Sequence, residues 1–175
     1  MSSPPAAPAT ALGWSLAALT VAALSLAPSF AHALEAWPRV FLWPPELWRE
    51  TTVFNGQFLL FLYIGAPLDL AAIGLAAIFA YVVRDDRRRV AFAVASSVLF
   101  ALALIVWASW VAPANDALAA WTPGAIPSDF EDVRDRWESG HIVVATVKLL
   151  GFMALSLAVA LGRPLPPEPH NISSI

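Results

Sequence analysis

An all-α protein, with four membrane-crossing helices packed up and down as one bundle, is what this sequence predicts. Two observations carry it. Hydrophobic residues make up 59% of the chain and charged ones only 13%, with a mean hydropathy of +0.67, too apolar for an ordinary soluble domain. Four apolar runs are also each long enough to cross a hydrocarbon core of about 30 Å, which takes roughly 20 helical residues.

The runs span Ala11 to Glu35, Gln57 to Val83, Arg89 to Val111 and Gly140 to Leu161. Together they define a transmembrane domain over residues 11–162. The flanks 1–10 and 163–175 are rich in Pro and Ser and read as disordered tails. The first run competes with a cleaved signal peptide, because "SFAHALEA" holds an A-x-A-like pattern. No Lys or Arg precedes it, which favours a retained helix.

Between the second and third runs, "RDDRRR" places Arg84, Arg87, Arg88 and Arg89 close to both helix ends. This predicts a cytoplasmic turn, with both termini also cytoplasmic and the chain in the cell's inner membrane. Connections 36–56 and 112–139 then face outward. Trp37, Trp43, Trp48, Trp110, Trp121 and Trp137 fall in or beside them, as indoles do at a membrane interface.

There is no cysteine, so disulfides, thiolate metal sites and cysteine nucleophiles are excluded. The net charge of −3, with no basic tract interleaved with aromatics, argues against a nucleic-acid partner. The expected partners are the lipid bilayer, a lipophilic aromatic small molecule, and a second copy or another membrane protein. No phosphate-binding glycine loop and no serine elbow is present.

Polar residues gather at the outer ends of three runs. His32 and Glu35 are three apart, hence on one helix face, and Glu138 and His141 repeat that spacing in reverse order. Asn115 and Asp116 follow the third run, and Arg136 lies beside Glu138. Ionisable groups near a membrane span are costly unless they face the interior and find partners, so convergence there marks a functional site. The alternative is a set of interfacial salt bridges pinning the outer connections. Deeper, Asp69 and Lys148 lie at matching depth, roughly 15 to 18 Å below the mouth at about 1.5 Å per residue. They are expected to form an ion pair, as a structural tie between helices or as the floor of a cavity.

Two chemistries suit these residues. His32, Glu35, Glu138 and His141 could hold a single metal ion, for example iron, zinc or copper. A di-metal centre is poorly supported, since only one pair has the Glu-x-x-His order. Without metal or other cofactor, a histidine beside a carboxylate is a general base, with His141 or His32 as base and Glu138 and Glu35 as orienters. Arg136 and Asn115 would then hold a developing oxyanion.

The stretches "AHALEAWPRVFLWPPELW", "GAPLDLAAI" and "WVAPANDALAAWTPGAIPSDFEDVRDRWESGH" resemble, in order and spacing, the anthrone oxygenase-like family of small four-helix integral membrane proteins. The likeness covers residues 12–162. The family's Asn falls on Asn115, its Arg-Trp-Glu on Arg136, Trp137 and Glu138, and its following His on His141. Lys148 and the Pro-rich tails lie outside that pattern. The resemblance implies a monooxygenase that deprotonates a lipophilic aromatic or phenolic substrate, lets the carbanion meet dioxygen, and loses water. A different class of reading is a non-enzymatic membrane subunit or metal-binding module whose outer loops dock a partner. Docking would expose Glu46, Arg49, Asp129, Glu131 and Asp132 as a patch, whereas catalysis would bury His32 and His141 around a cavity.

Overall fold

The computed structural model describes residues 9–56 and 59–162, and both expected tails fall almost entirely outside them. Six α-helices follow in order: α1 (Ala9–Phe41), α2 (Pro45–Arg49), α3 (Leu59–Val82), α4 (Arg87–Val106), α5 (Ala112–Ala119) and α6 (Phe130–Ala160). There is no strand among the described residues. Four stretches, Ala11–Phe41, Tyr63–Val82, Arg87–Ala119 and Phe130–Ala160, are long and apolar enough to cross a membrane. Leu12, Tyr63, Ile105 and Met153 are among the many large apolar side chains that face outward on them, the surface that a bilayer covers.

The helices outrun the apolar runs. α1 continues six residues past Glu35 to Phe41, through Pro38. α6 begins at Phe130, ten residues before Gly140. "RDRWESGH" is therefore not the lip of a helix but its second and third turns, preceded by Glu131 and Asp132, whose charges suit a helix N-terminus. The outer connections are themselves largely helical. The first holds α2 and a π-helical turn at Glu50–Phe54. The third run continues through a second π turn, Trp107–Val111, into α5, with the Ala112 N–H donating to the Trp107 carbonyl five residues back. Pro113 explains that widening, since it has no N–H for the Ser109 carbonyl and its ring crowds that position. At the opposite end Asp86 caps α4, accepting from the N–H groups of Arg88 and Arg89.

Packing order is a ring. α1 and α4 each pack against both α3 and α6, so α3 and α6 face one another across the bundle. The buried residues of α1 are Ser15, Ala18, Ala22, Ser25, Ser29, His32, Ala36 and Arg39, an unbroken alternation of three- and four-residue steps. Such a 3.5-residue repeat keeps one seam toward the neighbours. α6 does the same with Trp137, His141, Val144, Lys148, Gly151, Leu155 and Ala158. Small seam residues let backbones approach in a setting where lipid supplies no hydrophobic drive.

Two glycines show how close α6 comes to α4 and to the π turn that follows it. A Cβ on Gly140 would sit 2.7 Å from Val111 Cγ2, and one on Gly151 would sit 3.1 Å from the Phe100 ring. Gly140→Leu is expected to lower stability by about 1–3 kcal/mol through overpacking, read as a lower midpoint in detergent thermal unfolding. An unchanged midpoint would show that α6 and the Trp107–Val111 turn are not held this tightly.

The core has two apolar clusters. One, at the turn end, is built on Ala18, Ala22, Ala72, Ala76, Phe79, Phe100 and Leu155. The other, at the mouth end, is built on Trp48, Val111, Leu118, Phe130, Trp137 and Val144. Between them lies a polar layer. The belt expected of the tryptophans holds for Trp37, 62% exposed, and Trp110. Trp48 and Trp137 are instead fully buried core residues.

Candidate functional site

The mouth half of the bundle encloses a cavity of about 550 Å³, within the range of small-molecule sites. Each wall follows from helix period. On α6, Trp137, His141, Val144 and Lys148 are spaced by four, three and four residues and all line it. From α1 come Pro28, Ser29 and His32; from α3 Phe61, Gly65, Ala66 and Asp69; from α5 Asn115 and Asp116. Thr52 closes the top from the first π turn.

Halfway down, the rings of His32 and His141 stack with centroids 4.3 Å apart and planes 23° from parallel. Trp137 meets both edge-on, at 5.2 Å and 4.4 Å. Its indole N–H donates to Asn115 Oδ1 at 2.8 Å, so the amide NH₂ is the donor that Asn115 has left for the cavity. His141 is only 8% exposed, and its Nε2 has no hydrogen-bond partner among the described residues. Thr52 Oγ1 is buried without a partner as well. A buried polar atom left unmade costs about 1–3 kcal/mol, and the two side chains that carry these atoms both border the cavity.

Behind Trp137 lies an ion-pair knot. Glu138, 2% exposed, accepts a hydrogen bond from Arg39 Nη2 on Oε2 at 2.9 Å and has Arg39 Nε in ion-pair contact with Oε1, also at 2.9 Å. The indole N–H of Trp48 donates to Oε1 at 2.9 Å. Arg39 also donates to the His32 carbonyl at 3.0 Å and to Glu35 at 3.0 Å, and its guanidinium carbon lies 5.4 Å from the Trp137 ring centre. The knot fixes α1, α2 and α6 to one another and sets the walls that carry both histidines. Arg49, also buried, donates to the Ala125 carbonyl and so ties α2 to the connection before α6.

The cavity floor is the polar layer. Lys148 Nζ lies 2.6 Å from Asp69 Oδ1, 3.0 Å from Ser29 Oγ and 3.3 Å from the Ser25 carbonyl. Ser25 Oγ also donates to Asp69 Oδ1, at 2.6 Å. The pair joins helices from opposite corners of the bundle while lining the cavity, so tie and floor are one feature.

Several sequence expectations are corrected here. Glu35 does not share the site with His32; its side chain is 52% exposed and bound to Arg39. Arg136 is exposed on the far side of α6 from Trp137 and does not reach the cavity. The histidine–carboxylate dyads do not form, because Arg39 and Trp48 occupy Glu138. Nor is the tetrad His32, Glu35, Glu138 and His141 assembled as a metal site. No three His, Cys, Asp or Glu side chains among the described residues are gathered to hold an ion, and the stacked imidazoles carry their lone pairs in near-parallel planes. Asn115, Trp137, His32 and His141 do come together, with Asp69 and Lys148 beneath.

Reading the sequence missed Arg39, Trp48, Ser25 and Ser29. Ser25, Ser29, His32 and Arg39 lie on one seam of α1, a polar stripe in an apolar helix that carries the signal. Fold and site together define a four-helix membrane protein with a largely apolar cavity, polar at its floor, inside its bundle. The chain matches no family model, no curated protein and no solved structure.

Proposed function

We propose that the protein is a membrane-embedded monooxygenase of the anthrone oxygenase-like kind, acting on a lipophilic aromatic or phenolic substrate in the cell's inner membrane, with the 84–88 turn and both termini cytoplasmic. The observation that supports it most is a cavity of about 550 Å³ lined by both stacked imidazoles, His32 and His141, with Trp137 and Asn115 beside them. His32 and His141 are buried around that cavity, as catalysis requires. The exposed Glu46, Asp129, Glu131 and Asp132 are what any solvent-facing rim carries, and Arg49, expected on a docking patch, is buried.

In this reading the His141 imidazole removes a proton from the activated CH₂ of a tricyclic anthrone, and the resulting charge spreads onto the ring oxygen. The Asn115 NH₂ donates to that oxygen, in the role expected of Arg136 and Asn115 together. The carbanion passes one electron to dioxygen, and the radical pair collapses to a carbon-bound peroxide. The imidazolium protonates the peroxide. Loss of the second C–H proton to the imidazole expels hydroxide, which takes that proton and leaves as water, so CH₂ and O₂ become C=O and H₂O. Trp137 holds Asn115 and borders His141, which makes it a positioning residue.

The test is oxygen uptake by the protein in lipid nanodiscs supplied with a hydroxylated anthrone. One O₂ consumed per quinone formed, with one ¹⁸O atom from labelled dioxygen in the quinone, is the expected result. No uptake above that of empty nanodiscs would overturn the reading. Trp137→Phe, which removes the N–H to Asn115 but keeps the ring, is expected to lower kcat about 10-fold with KM nearly unchanged, since it loosens a donor needed in the transition state.

A further inference from the structure

We infer that the cavity floor is a hydroxyl-binding subsite, in which Asp69 Oδ2 and the Ser29 O–H receive the neutral phenolic or alcoholic end of an otherwise apolar ligand. The inference rests on reading the cavity as a substrate site and adds which polar group that substrate carries and where it is held.

A lysine ammonium has three N–H donors, and those of Lys148 are met by Asp69 Oδ1, Ser29 Oγ and the Ser25 carbonyl. Lys148 therefore has nothing left to give a ligand. Asp69 Oδ1 accepts from both Lys148 and Ser25, whereas no described residue donates to Oδ2. Ser29 Oγ accepts from Lys148, and its own proton has no acceptor among the described residues. Both side chains line the cavity and both are more than nine-tenths buried, at 6% and 7% exposure. The floor thus offers one acceptor and one donor side by side.

A hydroxyl group is the partner that satisfies both at once, donating to Asp69 and accepting from Ser29. A carboxylate would face the Asp69 charge with no proton to give, and Lys148 is already neutralised. A plain hydrocarbon would leave both floor groups unmade, and sites built to bond a hydroxyl discriminate strongly against analogues that lack it. His32 lies three residues above Ser29 on α1, about one turn higher, so a ligand anchored at the floor presents its body to the imidazole pair.

The experiment is direct binding to the protein in nanodiscs, read by energy transfer from its tryptophans to three tricyclic probes: 1-hydroxyanthracene, anthracene and anthracene-1-carboxylate. Partition into empty nanodiscs is subtracted for each. The hydroxyl probe is expected to bind at least about 10-fold tighter than either other probe. Ser29→Ala should remove most of that preference and leave anthracene binding unchanged. Asp69→Leu/Lys148→Met replaces the ion pair by apolar groups of similar size, a change that buried pairs tolerate, and should abolish the preference. Equal affinity of the hydroxyl probe and anthracene for the wild type, tightest binding of the carboxylate, or a preference that survives both variants would each overturn the subsite. The wild-type comparison alone decides the matter if a variant fails to fold. A preference without oxygen uptake would remove the oxygenase reading and keep the subsite; uptake without a preference would do the reverse.

Discussion

Glu138→Ala is expected to destabilise the bundle by about 3–5 kcal/mol, the cost of leaving a buried partner charge uncompensated. Arg39 is 1% exposed and would keep the neutral His32 carbonyl and, as a carboxylate partner, Glu35, which is half in the open, while the Trp48 indole would lose its acceptor. Removing Arg39 instead strands Glu138 in the same way. The pair itself need contribute little net stability, because desolvating both ions offsets much of their attraction. Arg39→Met/Glu138→Leu should therefore recover most of what either single change loses. The measurement is the thermal midpoint of the detergent-purified protein for the two single variants and the double. Singles that unfold like wild type would mean that the knot is hydrated and not a buried tie. A double variant as weak as the singles would mean that its geometry, rather than its charge balance, holds α1, α2 and α6.

His141→Ala should lower kcat by about 10²–10⁴-fold, the usual contribution of a positioned general base, with little change in the unfolding midpoint. The side chain makes no hydrogen bond through Nε2, so its removal leaves no new unsatisfied group behind. His32→Ala, which removes the stacked neighbour but not that nitrogen, is expected to cost nearer 10-fold. Imidazole added to His141→Ala has a vacated space in which to act and should restore part of the rate. A folded His141→Ala variant with full turnover would transfer the base role to another group. A loss that imidazole does not repair, together with a fallen midpoint, would make His141 a packing residue.

The membrane bundle was legible because composition and run length answer to the thickness of lipid. The true helix ends were not. Charges in "RDRWESGH" and Pro38 after "LEAW" look like loop, yet both stretches are helical because Arg39, Glu138 and Trp48 satisfy one another inside the bundle. Trp137, Asn115 and His141 were legible as a group since the up-down topology delivers them to one end. The assignment of Arg136 failed on helix phase: Trp137 and Glu138 face inward, and the preceding residue faces out. Arg39 could have been found from the seam itself, as Ser25, Ser29, His32 and Arg39 share its three-and-four spacing. Asp69 and Lys148 were predictable by depth alone, an ion pair being the cheapest way for either to sit inside a bilayer.

The apolar cluster of Ala72, Ala76, Phe79, Phe100 and Leu155 beneath the Asp69–Lys148 layer gives the molecule sidedness. In the half of the protein that carries α2 and α5 the cavity borders exposed residues, Gly56 and Asp116 among them. In sealed vesicles a membrane-impermeant histidine reagent should reach His141 from one face and leave it untouched from the other. On the proposed reading, substrate and product would enter and leave on that side.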